Sequence, residues 1–355
     1  MAILNSLEEH SGIPFYFILL VIIAIFLGVL YQVSSSFLFD VIRMVLITIP
    51  VWLPPVLIIS LWRLWMTYAR ASTFEKESYT LLEIRLPREI TKSPLAMEAV
   101  LNGMHLSPGE GTWWDKYVKG KTRPWFSLEL VSIGGEIRFF IWTRTFFKDI
   151  IEAQIYAQYP EIEIYEVDDY TQGVFFEKGK TAVWGCDFKL TKADPYPIKT
   201  YVDYGLDKDP KEEQKIDPLS NVLEFLGHLQ AGHQVWMQIL IRVNKNERHK
   251  KGTWFGKTGW KNEAKDEMNK IIDGATPPGG NRSMFNLTKG QTDVVNALER
   301  SVSKHGFDCG IRGIYIADDD KFQGNNIAGM LGTFKQFSSN SLNGIMPARW
   351  LTIFD

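Results

Sequence analysis

Cysteine is nearly absent: Cys186 and Cys309 are the only two in 355 residues, they stand far apart, and neither belongs to a CxxC. That excludes a disulfide framework and a thiolate zinc module. The six histidines (His10, His105, His228, His233, His249, His305) are scattered and form no HExxH. His228 and His233 stand five apart across Ala231-Gly232, so the helical spacing of a ligand pair is missing as well. No GxSxG elbow occurs. Gly-Lys-Thr appears three times, at Gly120, Gly179 and Gly256, but the positions where a phosphate loop needs an earlier glycine hold Asp115, Val174 and Lys251. A net charge of −2 gives no overall field toward polyanions. These absences predict a protein with no cofactor, no metal and no catalytic residue, hence a non-enzyme; an enzyme whose site is assembled from residues distant in the sequence is the alternative.

Positive charge is scarce at the N-terminal end, where the first 71 residues hold only Arg43, Arg63 and Arg70. Two uncharged apolar runs, at about 13–33 and 44–62, are each long enough to cross a hydrocarbon layer of about 30 Å. Glu8 and Glu9 precede the first run, which speaks against a cleaved leader. Pro50, Pro54 and Pro55 interrupt the second, and the missing donors predict a kink or break there. Residues 1–71 therefore read as a transmembrane hairpin with its loop near 34–40. Arg63, Arg70, Lys76, Arg85 and Arg88 follow the second run, so positive charge places the body in the cytoplasm and the protein in the inner membrane. Trp52, Trp62, Trp65 and Tyr68, with Arg63 and Arg70, read as membrane-interface anchors.

Beyond residue 72 strand and helix patterns alternate. A strand at 79–86, a helix at 94–105 with Ser93 and Pro94 at its start, and a strand at 126–133 come first. Gly134-Gly135 supplies the turn to a strand at 136–143, and a helix at 146–159 and a strand at 161–167 complete a β-α-β-β-α-β order. That order predicts a ferredoxin-like domain over 72–170. A second, irregular unit is expected over 171–355, with strands at 182–190, 235–243 and 308–317, helices at 217–229 and 288–305, and an insertion at 245–287. The 192–215 stretch reads as a connection or linker. The fold class is α+β.

Two stretches combine cations with flat rings. Residues 113–125 (WWDKYVKGKTRPW) carry Trp113, Trp114 and Trp125 with Lys119, Lys121 and Arg123. Residues 248–261 (RHKKGTWFGKTGWK) carry Trp254, Phe255 and Trp260 with Arg248, Lys250, Lys251 and Lys257, and no acid. Cations pair with phosphates while rings stack on bases or lodge among headgroups, so a membrane surface, a partner protein and single-stranded nucleic acid all suit them.

Four segments carry a family resemblance: LPREITKSPLAMEAVLNGMH (86–105), GGEIRFFIWTRTFFKDIIEAQIYAQYPEIEI (134–164), HQVWMQILIRV (233–243) and GIRGIYIADDDKFQGNNIAGMLGTFKQFSSNSLNGI (310–345). In these the chain resembles a family of candidate-phyla bacterial membrane proteins related to type IV secretion and conjugative coupling ATPases. In longer relatives the matching region precedes a motor domain, and the lack of a complete phosphate loop in these 355 residues leads to the expectation of a role without a motor. The resemblance implies a scaffold, adaptor or docking role, with copies of the chain, a separate motor ATPase or secretion subunits as partners alongside the lipid bilayer. It carries over no catalytic residue.

Overall fold

The structure, a computed structural model, describes residues 35–87, 92–105, 112–177, 179–207, 217–244, 248–249, 257–276 and 286–353. The chain divides into two compact units, Met1–Ala71 and Ser72–Asp355. The first expected span, 13–33, lies outside the described residues. The second falls within a single helix, α1 (Ser35–Lys76), which continues through Pro50, Pro54 and Pro55. Helix therefore replaces the loop expected near 34–40 from Ser35 onward. Each proline deletes only one N–H, and the residues between them keep their own ladder bonds. The part Arg43–Lys76 is long and apolar enough to cross a membrane, and none of its apolar window packs inside the protein.

The second unit is built on one eight-stranded antiparallel sheet. Its strands are β1 (Tyr79–Arg85), β2 (Trp125–Ile133), β3 (Glu136–Arg144), β4 (Glu163–Val167), β5 (Thr181–Leu190), β6 (His233–Val243), β9 (Phe307–Asp318) and β10 (Ile345–Ile353). A separate ribbon pairs β7 (Arg248–His249) with β8 (Lys257–Thr258). The spatial order is β10-β5-β9-β6-β2-β3-β1-β4. The regions expected as two domains thus share one sheet, because β2 and β6 pair along nine residues from Trp125↔Arg242 to Ile133↔Gln234.

The order is a palindrome. In the first half the strands run β1-α2-β2-β3-α4-β4, with α2 (Leu95–Gly103) and α4 (Lys148–Gln158) as crossovers; a short helix, α3 (Trp113–Tyr117), precedes β2. The second half repeats the path as β5-α5-β6, then β9-α8-β10, with α5 (Pro218–Gly227) and α8 (Gly324–Thr333) as crossovers. Helices α6 (Trp260–Ala275) and α7 (Lys289–Val302) lie in the connection between β6 and β9. The helix expected at 288–305 is thus α7, within that connection. β9 pairs directly with β6, from His233↔Ala317 to Val243↔Phe307, so everything between them is an expansion of a hairpin. Strand β10 was not expected.

Pleat alternation sorts the apolar residues. Leu82, Phe126 and Ile141 face α2 and α4, packing on Val100, Ile151 and Ile155. Trp184, Val235 and Tyr315 face α5 and α8, packing on Val222, Leu226, Met330 and Phe334. Leu81, Val131, Phe140, Trp236 and Ile316 point to the opposite face, where Tyr170 and Val174 of the segment joining the halves cover them. Gly134 and Gly135 do turn the first hairpin, with φ of +60° and +90°; a Cβ on Gly135 would stand 2.6 Å from the Leu229 carbonyl.

Candidate functional site

Register brings three segments to one end of the sheet. Tyr79 opposes Arg144, Trp125 opposes Arg242, and Val243 opposes Phe307. The last turn of α1, the approach to β2 and the exit of β6 therefore meet there. Both basic-aromatic stretches leave from this end, the first just before β2 and the second just after β6.

The first stretch is folded by local bonds. Thr112 caps α3, its hydroxyl accepting from the Asp115 amide at 3.1 Å and donating to the Asp115 carboxylate at 2.7 Å. Lys119 and Lys121 lie 3.3 and 3.5 Å from the same carboxylate. The Thr112 hydroxyl first, then Lys119, hold the Asp115 carboxyl below its usual range. Trp113 and Trp114 are 64% and 57% exposed. The Thr73 hydroxyl, in the last turn of α1, donates to the Lys119 carbonyl and fastens this loop to the helix end.

Between the loop and β3 lies an open cavity of about 450 Å³, lined by Lys76, Glu77, Ser78, Lys121, Thr122, Pro124, Arg144, Phe146 and Phe147. Arg144 is nine-tenths buried at its wall, 2.7 Å from the Glu77 carboxylate and donating to the Thr122 hydroxyl at 2.9 Å. Three cations against one carboxylate leave the lining positive. Phe146, at 83% exposure, stands at its rim. Charge and hydrogen-bond donors suit an anion, and no nucleophile in the lining is paired with a general base.

The other expected contact residues have different surroundings. Arg123 is buried, donating to the Val243 carbonyl at 2.5 Å and to Asp308 at 3.3 Å; Arg242 and Asn244 converge on the same Asp308. It clasps β6 and β9 rather than facing a ligand. Trp125 is half-buried and tilted against Trp142, centroids 4.6 Å apart, and Trp142 stacks on Tyr79 at 4.3 Å. Burial first, then Glu77, raises the Tyr79 phenol. Trp260 opens α6, where a Cβ on Gly306 would come within 2.7 Å of its indole nitrogen. Arg248 and Lys257 are placed by their ribbon backbone alone, and Lys250, Lys251, Trp254 and Phe255 lie outside the described residues. On α1, Trp52, Trp62, Trp65 and Tyr68 are exposed, as are Arg63 and Arg70.

Sequence reading missed Glu77, Thr122, Arg144, Phe146 and Phe147. They come from three stretches far apart in the chain, and only strand register brings them together. Among the described residues no group of three or more His, Cys, Asp or Glu converges as metal ligands would. A family model described as "Domain of unknown function (DUF8128)" matches residues 67–348. No curated protein and no solved structure matches the chain.

Proposed function

The chain belongs to the DUF8128 family, and we propose that it is a non-catalytic, membrane-anchored platform or adaptor subunit of a type IV secretion-like or DNA-transfer envelope machine. The observation that carries the reading is α1. Its apolar window is long enough to cross a membrane and none of it is buried, and along the chain the helix precedes the strands of a large folded unit, as an anchor precedes a body. Charge supports an inner-membrane location with that body in the cytoplasm, since the cations crowd the C-terminal side of the apolar run. Each half follows the strand path of a ferredoxin-like unit, and we read the body as two such units fused edge to edge.

The free edges support docking on one side. β4 is five residues long, carries Glu163 and Glu166 and is preceded by Glu161, a short acidic edge of the kind that resists pairing. β10 is longer, and beyond its pairing with β5 no other strand of the sheet covers it. The cheapest partner for it is another strand. Crosslinking in native membranes followed by recovery of the full-length protein is the test. Recovery of a motor ATPase or of secretion subunits supports the proposal. ATP turnover by the purified full-length protein, or cleavage of the body by protease added to intact cells, would overturn it.

A further inference from the structure

We infer that the cavity at the end of α1 binds the phosphate of an anionic phospholipid headgroup; the inference rests on the membrane-anchored reading above and names what the body meets there. Four observations converge. Lys76 is the last residue of the helix that holds the apolar span, so the cavity begins where that helix stops. Along the chain Lys76 follows the end of the apolar run at Trp62 by fourteen residues and Arg70, expected at the interface, by six. Lys76, Lys121 and Arg144 outnumber Glu77 in the lining, and the Thr122 hydroxyl sits among them. Finally, the rim is apolar and aromatic: Phe146 is 83% exposed, and Trp113 and Trp114 stand on the neighbouring loop, which the Thr73 bond fastens to α1.

Each observation has its own physical weight. An isolated exposed tryptophan is ordinary on a protein surface. Three large exposed rings beside cations have the chemistry that suits the amphipathic layer between hydrocarbon and water. Free phosphate would use the cations and leave the rings idle. A lipid uses both, and that difference separates the two sources of the same anion. The second half supplies no counterpart, because its β9–α8 corner carries Asp318, Asp319 and Asp320 where the first half carries Arg144, Thr145 and Phe146.

The test uses the full-length protein in detergent and native mass spectrometry, with dioctanoyl phosphatidylglycerol, dioctanoyl phosphatidylcholine and inorganic phosphate as probes. The wild type is expected to retain the glycerol lipid over the choline lipid. Lys76→Gln with Lys121→Gln should lower that preference about tenfold or more, since each cation near an anionic surface is worth roughly fivefold. Asp115→Asn, which releases Lys119 and Lys121 from their carboxylate, should raise it; this arm decides the matter even where the double variant does not fold. Equal retention of the two lipids, a preference unmoved by these substitutions, or phosphate binding as tightly as the anionic lipid would overturn the inference. So would a short single-stranded oligonucleotide displacing the lipid from the same lysines. Alkaline extraction of membranes separates this failure from that of the anchor: protein that stays in the pellet without lipid preference sinks only the headgroup site, and protein released from the pellet sinks the anchored reading itself.

Discussion

Asn343 holds an otherwise irregular segment in place, and removing it should cost far more than its place in a Ser/Asn-rich turn suggests. The side chain is fully buried. Its amide donates to the carbonyls of Tyr196 at 2.9 Å and Ala193 at 3.2 Å. Its oxygen accepts from the Lys192 amide at 2.8 Å, the Thr191 hydroxyl at 3.1 Å and the Gly344 amide at 3.0 Å. Asn343→Ala orphans the Tyr196 carbonyl and removes an acceptor from three donors, while the Ala193 carbonyl keeps the Tyr196 amide as its donor. The Thr191 hydroxyl still donates elsewhere by rotation and also accepts from the Gly344 amide, which leaves two groups without a partner, the Tyr196 carbonyl and the Lys192 amide. At about 1–3 kcal/mol for each buried orphan, partly relieved by entering water, the expected loss is about 2–4 kcal/mol. Asn343→Asp tests the geometry more sharply. It keeps the acceptor and turns the donor into an oxygen facing two carbonyls, so it should be at least as damaging at neutral pH. As pH falls through the carboxyl's own range, the protonated acid regains a donor and part of the loss should return. Denaturant titration of the full-length protein in detergent measures both variants. A loss under about 1 kcal/mol for alanine, or a pH-independent deficit for aspartate, refutes the bonding scheme.

Three further outcomes follow from packing and titration. Tyr170 donates to Glu129 at 2.7 Å, accepts from Gln238 at 2.8 Å and covers Phe140 and Trp236, and burial first, then Glu129, raises its phenol. Tyr170→Phe keeps the ring and should cost about 1–3 kcal/mol in the same titration, because Glu129 loses a buried donor; no change would place its carboxylate in water. Gly135→Ala combines a φ of +90° with a Cβ 2.6 Å from a carbonyl, and should lower the melting temperature by several degrees, whereas Gly274→Ala, with open space around it, should not. His105 stacks on His305 at 4.4 Å, and burial first, then that second ring, depresses its pKa. Because the folded value lies below the unfolded 6.5, the unfolded chain takes the proton first. This contribution is whole above pH 6.5 and is lost as pH falls from there toward the folded pKa; a profile that His105→Gln leaves unaltered would remove it.

Strand alternation and the Gly134-Gly135 turn made β1 to β4 legible to within a residue or two, because each strand there buries a different set on each face. β10 was not legible, since Pro347 stands inside the run and a proline demotes a strand; at an edge it is tolerated, and the register shifts beside it. The helix at 289–302 was visible, with its Thr288–Gln291 capping box, but its place in the path was not. Amphipathic periodicity reports that a face is buried and is silent about which strands flank the helix. The 192–215 stretch read as a connection or linker because, beyond its short turns, its described part is held by distant partners: Asn343 against 192–196, Phe337 against Lys199, Arg300 against Asp203 and Gln336 against Tyr204. Of the residues singled out for contact, Arg123 and Trp125 turned inward, since a buried guanidinium and a half-buried indole have the same composition as a surface pair.

The palindromic strand order also limits how copies of this sheet can associate. Each half has spent one edge, β2 or β6, on the other, so β4 and β10 are what remain. Growth into an open array through sheet edges needs both, and β4 is short and acidic. Pairing of β10 with β10 is isologous and closes at two. Copies joined through the sheet should therefore form dimers and no larger species, and any wider ring must use other surfaces. Ala348, exposed on β10, offers a probe. In a Cys309→Ser background, which removes the exposed native thiol, Ala348→Cys in native membranes should give a disulfide-linked pair under mild oxidation, while Glu163→Cys on β4 should not. A pair formed through β4, or a ladder of higher species from Ala348→Cys, would show that the acidic edge does not block pairing and that the one-sided docking argument is wrong.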